Sequence, residues 1–158
     1  MNEARNQVPI TESGLADVRR ELTELIDVRR PDVIQKIKAA REHGDLSENF
    51  EYHAARNEQS FLETRIQELE AIVRDHVLVE AQEGSDIVQV LSTVTLQEDG
   101  GPEETYRIVP PAEADPTSGS ISYESAMGAA VMGHAEGDEV EVQAPSGAAY
   151  SVRITRIE

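Results

Sequence analysis

Residues 42–57 read EHGDLSENFEYHAARN. Long stretches with helical spacing flank Gly44 on both sides. After it, Leu62, Ile66, Leu69, Val73 and His76 step by 4, 3, 4 and 3, the spacing of a coiled-coil seam. Followed backwards, the seam continues through Gln59, Ala55, Tyr52, Glu48 and Asp45, so it turns polar towards the glycine. This predicts a long helix over residues 46–76. Before the glycine, Leu15, Val18, Leu22 and Leu25 form one apolar stripe. Ile26, Val33, Ile37 and Ala40 form a second, displaced by about one residue. The displacement falls beside Pro31, which lacks a backbone donor and disfavours helix in the residue before it. The helix is therefore expected to kink near residue 30 or to restart with Pro31 in its first turn. Thr11 is the expected N-cap. Two stretches of about 30 residues joined by a tight turn make an antiparallel helical hairpin, on the order of 45 Å long. Its tip falls at residues 43–50.

That tip is acidic. Asp45 and Glu48 are three apart, so at a helix start they share one face and meet the positive end of the helix dipole. Two readings stand. In the first, Asp45 is an N-cap and Glu48 its capping-box partner, as D-L-S-E allows. In the second, the two carboxylates are delivered to a metal ion. Two oxygens are too few for a tight magnesium site. Magnesium commonly takes one or two carboxylates and fills its shell with phosphates and water, so the tip can be half of a site completed by a partner. The readings are compatible, because capping uses only some of the oxygen lone pairs. Arg41 and Arg56 flank the tip, either to meet a phosphate or to pair with nearby glutamates. Tyr52 lies on the seam, where packing is the default over base contact. Phe50 either plugs the hairpin end or offers a contact surface. His43 is a lone histidine.

Composition limits the alternatives. The 158 residues suit one or two small domains, and 31 acidic against 14 basic residues give a net charge of -17. So acidic a chain is repelled by bare nucleic acid, so any nucleic acid is expected to be presented by a more basic partner. The absence of cysteine excludes disulfides, zinc ribbons and thiol catalysis, and fits a reducing cytoplasm. The opening MNEARNQVPIT has no apolar run of the kind a signal peptide needs, and no stretch of 18 apolar residues occurs. Residues 1–76 carry 11 basic and 16 acidic side chains; residues 77–158 carry 3 and 15. The second half is also rich in Gly, Pro, Ser, Thr and Val. A helical domain over residues 1–76, a linker over 77–86 and a β-rich domain over 87–158 are expected.

In that second domain, residues 87–96, 105–109, 139–144 and 150–157 have the β-branched content of strands. EDGGPEE and PSGA read as turns, and residues 125–133, rich in Ala and Met, as a short helix. The class is α+β. It has no phosphate-binding glycine loop, nucleophile elbow or metal-spaced histidines.

The run VRRPDVIQKIKAAREHGDLSENFEYHAARNEQ, followed by RIQELE, closely resembles the Gre family of bacterial transcript cleavage factors, nearest its GreA branch. PITESGLADVRREL fits too and, less closely, so do STVTL, ETYRIV, EAD and GDEVEV. The resemblance implies an N-terminal antiparallel coiled coil followed by an FKBP-like domain without isomerase activity. It implies that the second domain binds bacterial RNA polymerase while the coiled coil enters its secondary channel. There Asp45 and Glu48 would help hold the weakly bound second Mg²⁺ of the polymerase active centre, and the polymerase would cleave backtracked RNA near its 3′ end. Arg41, Arg56 and Tyr52 would face the nascent RNA. By position, Met127, Gly128, Met132, Gly133, His134, Gly137 and Asp138 would meet polymerase. No cofactor of its own, no membrane and a monomer are expected. The departures lie mainly in SAMGAAVMGH at residues 125–134. A usual proline is Ala126 there, and two usual basic positions are Ala129 and His134. A usual glycine before STVTL is Leu91, and VPP at residues 109–111 replaces a glycine-containing turn.

Three functional readings follow. The leading one is a polymerase accessory factor that stimulates cleavage without being a complete enzyme. The second is a regulator of the same shape that occupies the channel without promoting cleavage. The third, a metal-dependent hydrolase acting alone, has too few converging ligands.

Overall fold

A computed structural model describes residues 7–45 and 48–158. The first six residues, read above for a leader, and Leu46 and Ser47 within D-L-S-E lie outside the described residues. The chain divides into two compact units, one of the residues up to Val8 with Glu12–His76 and one of Pro9–Thr11 with Val77–Glu158. β1 (Val8–Ile10) and β2 (His76–Leu78) form a two-stranded sheet. Residues 77–86, read as a linker, thus begin inside a strand and belong to the second unit.

The first unit is a helical hairpin. α1 (Glu12–Glu24) and α2 (Arg30–Arg41) run against α3 (Phe50–Asp75). Val33, Ile37, Ala55, Leu62 and Ile66 form its buried seam, with Leu22, Leu25, Ile26 and Tyr52 packed alongside. Fully burying one such aliphatic side chain contributes about 1.5–3 kcal/mol. Between α1 and α2 the chain makes a π-helical turn, Leu25–Arg29. Of the two expectations at Pro31, a kink or a restart, the restart holds, with Pro31 in the first turn of α2, and the π turn replaces the kink. A π turn takes up one extra residue, which is the one-residue displacement between the two apolar stripes. The stripe before it and the stripe after it can then face the same partner helix. Pro31 stands at the start of α2, where its missing N–H costs least. Across the seam, Arg30 holds Glu63 with two bonds of 2.8 and 2.9 Å, and Arg65 holds Glu21 at 2.8 and 3.0 Å. The Arg30 hydrogen bond keeps the Glu63 carboxyl below the usual carboxylate range. Exposed pairs like these add little stability but fix register.

The second unit is a five-stranded mixed sheet. Its strands are β3 (Thr93–Glu98), β4 (Glu103–Val109), β5 (Ser120–Ser122), β6 (Glu139–Gln143) and β7 (Ala149–Ile157), in the order β5-β4-β3-β7-β6. All pairs are antiparallel except β4 with β5. α4 (Ala126–Val131), capped by the Ser125 hydroxyl, contacts β5 and β6. Val94, Leu96, Ile108, Val140, Val142, Val152 and Ile154 alternate inward along the strands, and Val131 of α4 joins them. Thr11, just before α1, is buried; its N–H and hydroxyl donate to the Glu113 carboxylate at 2.8 and 2.5 Å. The architecture is α+β, a helical hairpin followed by a small mixed-sheet domain.

The first strand is shorter than expected, beginning at Thr93 and not at residue 87. Leu91 interrupts it with φ +73°, the only non-glycine residue there among those described. Its N–H still donates to the Ile108 carbonyl at 2.7 Å, which holds the unfavourable conformation in place. An L-residue in the left-handed region is disfavoured by about 1–2 kcal/mol. Leu91→Gly and Leu91→Ala both remove the leucine side chain, but only alanine keeps the strained Cβ. The glycine variant should therefore be the more stable by about 1 kcal/mol, after allowing for its looser unfolded chain. Coincident denaturation midpoints for the two would refute the strain.

Candidate functional site

The hairpin tip is built by two helix ends. α2 closes with the Glu42 N–H on the Ala39 carbonyl at 3.3 Å and the His43 N–H on that of Ala40 at 3.2 Å. The chain then reverses at Gly44, φ +109°, a conformation that needs a residue without a side chain. α3 does not begin at residue 46 with Asp45 as its cap. It begins at Phe50, and its N-cap is Asn49, whose Oδ1 accepts the Tyr52 N–H at 3.0 Å. Asparagine is among the strongest N-caps, and it satisfies the role that the capping-box reading gave to Asp45. Asp45 and Glu48 thus precede α3 instead of sharing its first turn. Both are exposed. They are hard oxygen donors of the kind that binds Mg²⁺ one or two at a time. Among the described residues no group of three or more His, Asp or Glu is arranged to hold a metal ion.

Beside the tip lies a cationic groove of about 410 Å³ lined by Ile34, Ile37, Lys38, Arg41, Glu42, Arg56 and Gln59. Arg41 sits over the Tyr52 ring, 5.9 Å from its centroid, a cation–π arrangement. Arg56 donates to Gln59 at 3.0 Å. Among the described residues neither arginine forms an ion pair with a glutamate, so the pairing alternative is not the one adopted. Tyr52 is half-buried against the seam, as its position predicts, and meets His53 edge-on at 5.6 Å. Phe50 is 89% exposed and plugs nothing. His43 is exposed.

In the second unit, the stretch from Met127 to Asp138 is largely occupied in folding. Met127 and Met132 pack on the sheet core, and Gly128 is buried. Gly133 and Gly137 have φ of +78° and +94°, and their N–H groups bond Val88 and Ile154 carbonyls at 2.9 and 2.7 Å. Asp138 accepts from the Ala135 N–H at 2.9 Å and lies 3.4 Å from His134 Nδ1. Of the seven residues placed by position at the polymerase contact, His134 and Asp138 are the two whose polar side chains reach solvent, each about half exposed; Glu136 between them is exposed as well. Elsewhere on the sheet, Tyr106 donates to Glu104, which pushes its phenol pKa up to about 12.

Residues 8–77 match the family described as transcription elongation factor, N-terminal, and residues 82–158 match its GreA/GreB C-terminal counterpart. The chain belongs to the GreA/GreB family of transcription elongation factors. Transcription elongation factor GreA of Staphylococcus carnosus is 45% identical over 99% of this chain and 98% of its own length. GreA of Staphylococcus aureus strain Newman is 44% identical over 99% of both. Among solved structures, GreA factor homolog 1 (Gfh1) of Thermus thermophilus is 28% identical, with 96% of this chain and 99% of that chain covered and a TM-score of 0.45. A GreA/GreB elongation factor of Nitrosomonas europaea is 29% identical, covering 65% and 91%, with a TM-score of 0.41.

Within this GreA/GreB chain, sequence reasoning missed two residues at the tip. Lys38 joins Arg41 and Arg56 in the groove; its place three residues before Arg41 is a helical-face signal legible in the sequence. Asn49 was overlooked because D-L-S-E offered an earlier pattern with the capping-box spacing, which Asn49 lacks.

Proposed function

We propose that this chain stimulates the Mg²⁺-dependent cleavage of backtracked nascent RNA by bacterial RNA polymerase, so that halted transcription resumes. The observation that carries this reading is the tip, where Asp45 and Glu48 stand exposed at the end of a helical hairpin beside a cationic groove. In two-metal phosphodiester cleavage the ions bind phosphate oxygens and activate a water. Asp45 and Glu48 supply carboxylates to the weaker of the polymerase's two Mg²⁺ sites. The rest of that shell comes from polymerase, RNA and water, so the chain is no nuclease by itself and carries no cofactor of its own. Lys38, Arg41 and Arg56 offset the charge of the RNA phosphates, which an overall charge of -17 would otherwise repel. The second unit docks on polymerase, with His134 and Asp138 on the contacting stretch. Family membership and identity to GreA proteins along the full length support the assignment.

The test incubates the purified chain with Mg²⁺ and RNA, and separately with stalled, backtracked polymerase complexes. The expected result is RNA shortening only with polymerase, followed by extension from the new 3′ end. Shortening without polymerase would make the chain a hydrolase. Binding that slows synthesis without shortening would make it a channel-occupying regulator.

A further inference from the structure

One side chain joins both helix ends at the tip. Asn49 stands before α3 in an extended conformation, φ -91° and ψ 99°, with its Oδ1 on the Tyr52 N–H. The Nδ2 of the same carboxamide donates to the Ala40 carbonyl, in the last turn of α2, at 2.7 Å. That carbonyl also accepts the His43 N–H at 3.2 Å. One carbonyl oxygen thus accepts from His43, at the end of α2, and from Asn49, at the start of α3. Glu48 directly precedes Asn49. A cap alone needs only an acceptor, which serine, threonine or aspartate provide equally. The bridge needs an acceptor and a donor on one short, planar side chain, and a carboxamide has both.

We propose that Asn49 is a positioning residue for transcript cleavage: its bridge to the Ala40 carbonyl joins the end of α2 to the start of α3, and so sets the places from which Asp45, just after α2, and Glu48, just before Asn49, meet the metal. The inference rests on the proposed function and deepens it. Asn49 itself touches neither metal nor RNA. Ligands that are already ordered lose less freedom on binding, and small misplacements of a catalytic group cost rate steeply.

Asn49→Ser separates the two duties, because its hydroxyl caps α3 but is too short to bridge to Ala40. Asn49→Ala removes both. Cleavage is measured in backtracked complexes across factor and Mg²⁺ concentrations, with Asp45→Asn alongside. The chain contains no cysteine, so a nitroxide on His43→Cys reports the mobility of the tip alone. Asn49→Ser should melt close to wild type. Its maximal cleavage at saturating factor should fall about tenfold, with a higher Mg²⁺ requirement. The factor concentration for half-maximal effect should not change, and the nitroxide spectrum should narrow. A purely structural cap predicts otherwise: Asn49→Ala loses stability, while Asn49→Ser keeps wild-type cleavage and an unchanged spectrum. That pattern, with Asp45→Asn impaired, overturns the inference alone. If Asp45→Asn also cleaves normally, the carboxylate mechanism falls and the inference falls with it.

Discussion

Asp45→Asn and Glu48→Gln are each expected to lower stimulated RNA cleavage about a hundredfold while leaving polymerase binding near wild type. Each change removes one charge with little change in shape. Both side chains are exposed, and α3 takes its cap from Asn49 and not from Asp45. Neither substitution therefore removes the cap of that helix, so the loss is expected to be chemical and not a matter of folding. A weakened Mg²⁺ site can be refilled by mass action, so added Mg²⁺ should recover part of the rate. The measurement is the cleavage rate in stalled, backtracked complexes against Mg²⁺ concentration, at saturating factor. Wild-type rates in both variants would leave the acidic tip without a part in cleavage.

Gly128→Ala is expected to be the most disruptive single change in the second unit. A Cβ at Gly128 would lie 2.0 Å from the Ser122 carbonyl oxygen and 2.9 Å from its carbon. That carbonyl cannot easily retreat, because it accepts both the Ser125 N–H at 3.0 Å and the Ser125 hydroxyl at 2.6 Å. The same hydroxyl caps α4 through the Gly128 N–H at 3.1 Å. Room for one methyl group thus requires α4 to lift from β5 or the cap to break. Overpacking of this kind costs about 3 kcal/mol, which corresponds to a fall in melting temperature on the order of 10 °C for a chain of this size. Ala129, the exposed neighbour, provides a comparison: Ala129→Gly should cost no more than about 1 kcal/mol. Calorimetry that finds the two variants equally stable would contradict the close approach. Gly128, one of the residues placed by position at the polymerase contact, is then fixed by packing within this chain.

The sequence alone determined the helical hairpin. The spacing of Leu62, Ile66 and Leu69 requires a partner helix, and Val33 and Ile37 offer the matching stripe. All five are buried. It also determined that carboxylates crowd the turn between them, and that β-branched alternation makes the second half a sheet. Such features are local: each is set by side-chain period and composition within one element.

Tertiary structure decided where elements meet. The one-residue slip between the apolar stripes was visible, but proline offered a plausible cause. Only packing of both halves on α3 selects a π turn over a kink, because it keeps both stripes on the partner. D-L-S-E has the capping-box spacing, whereas Asn49 is followed three residues later by Tyr52 and lacks it. The Ala40 carbonyl, nine residues earlier in the chain, favours Asn49 because it rewards a side chain that donates as well as accepts. Leu91 is an ordinary strand residue by propensity. The bond from its N–H to Ile108 holds it at positive φ. Each of these outcomes depends on a group distant in sequence, which local periodicity does not encode.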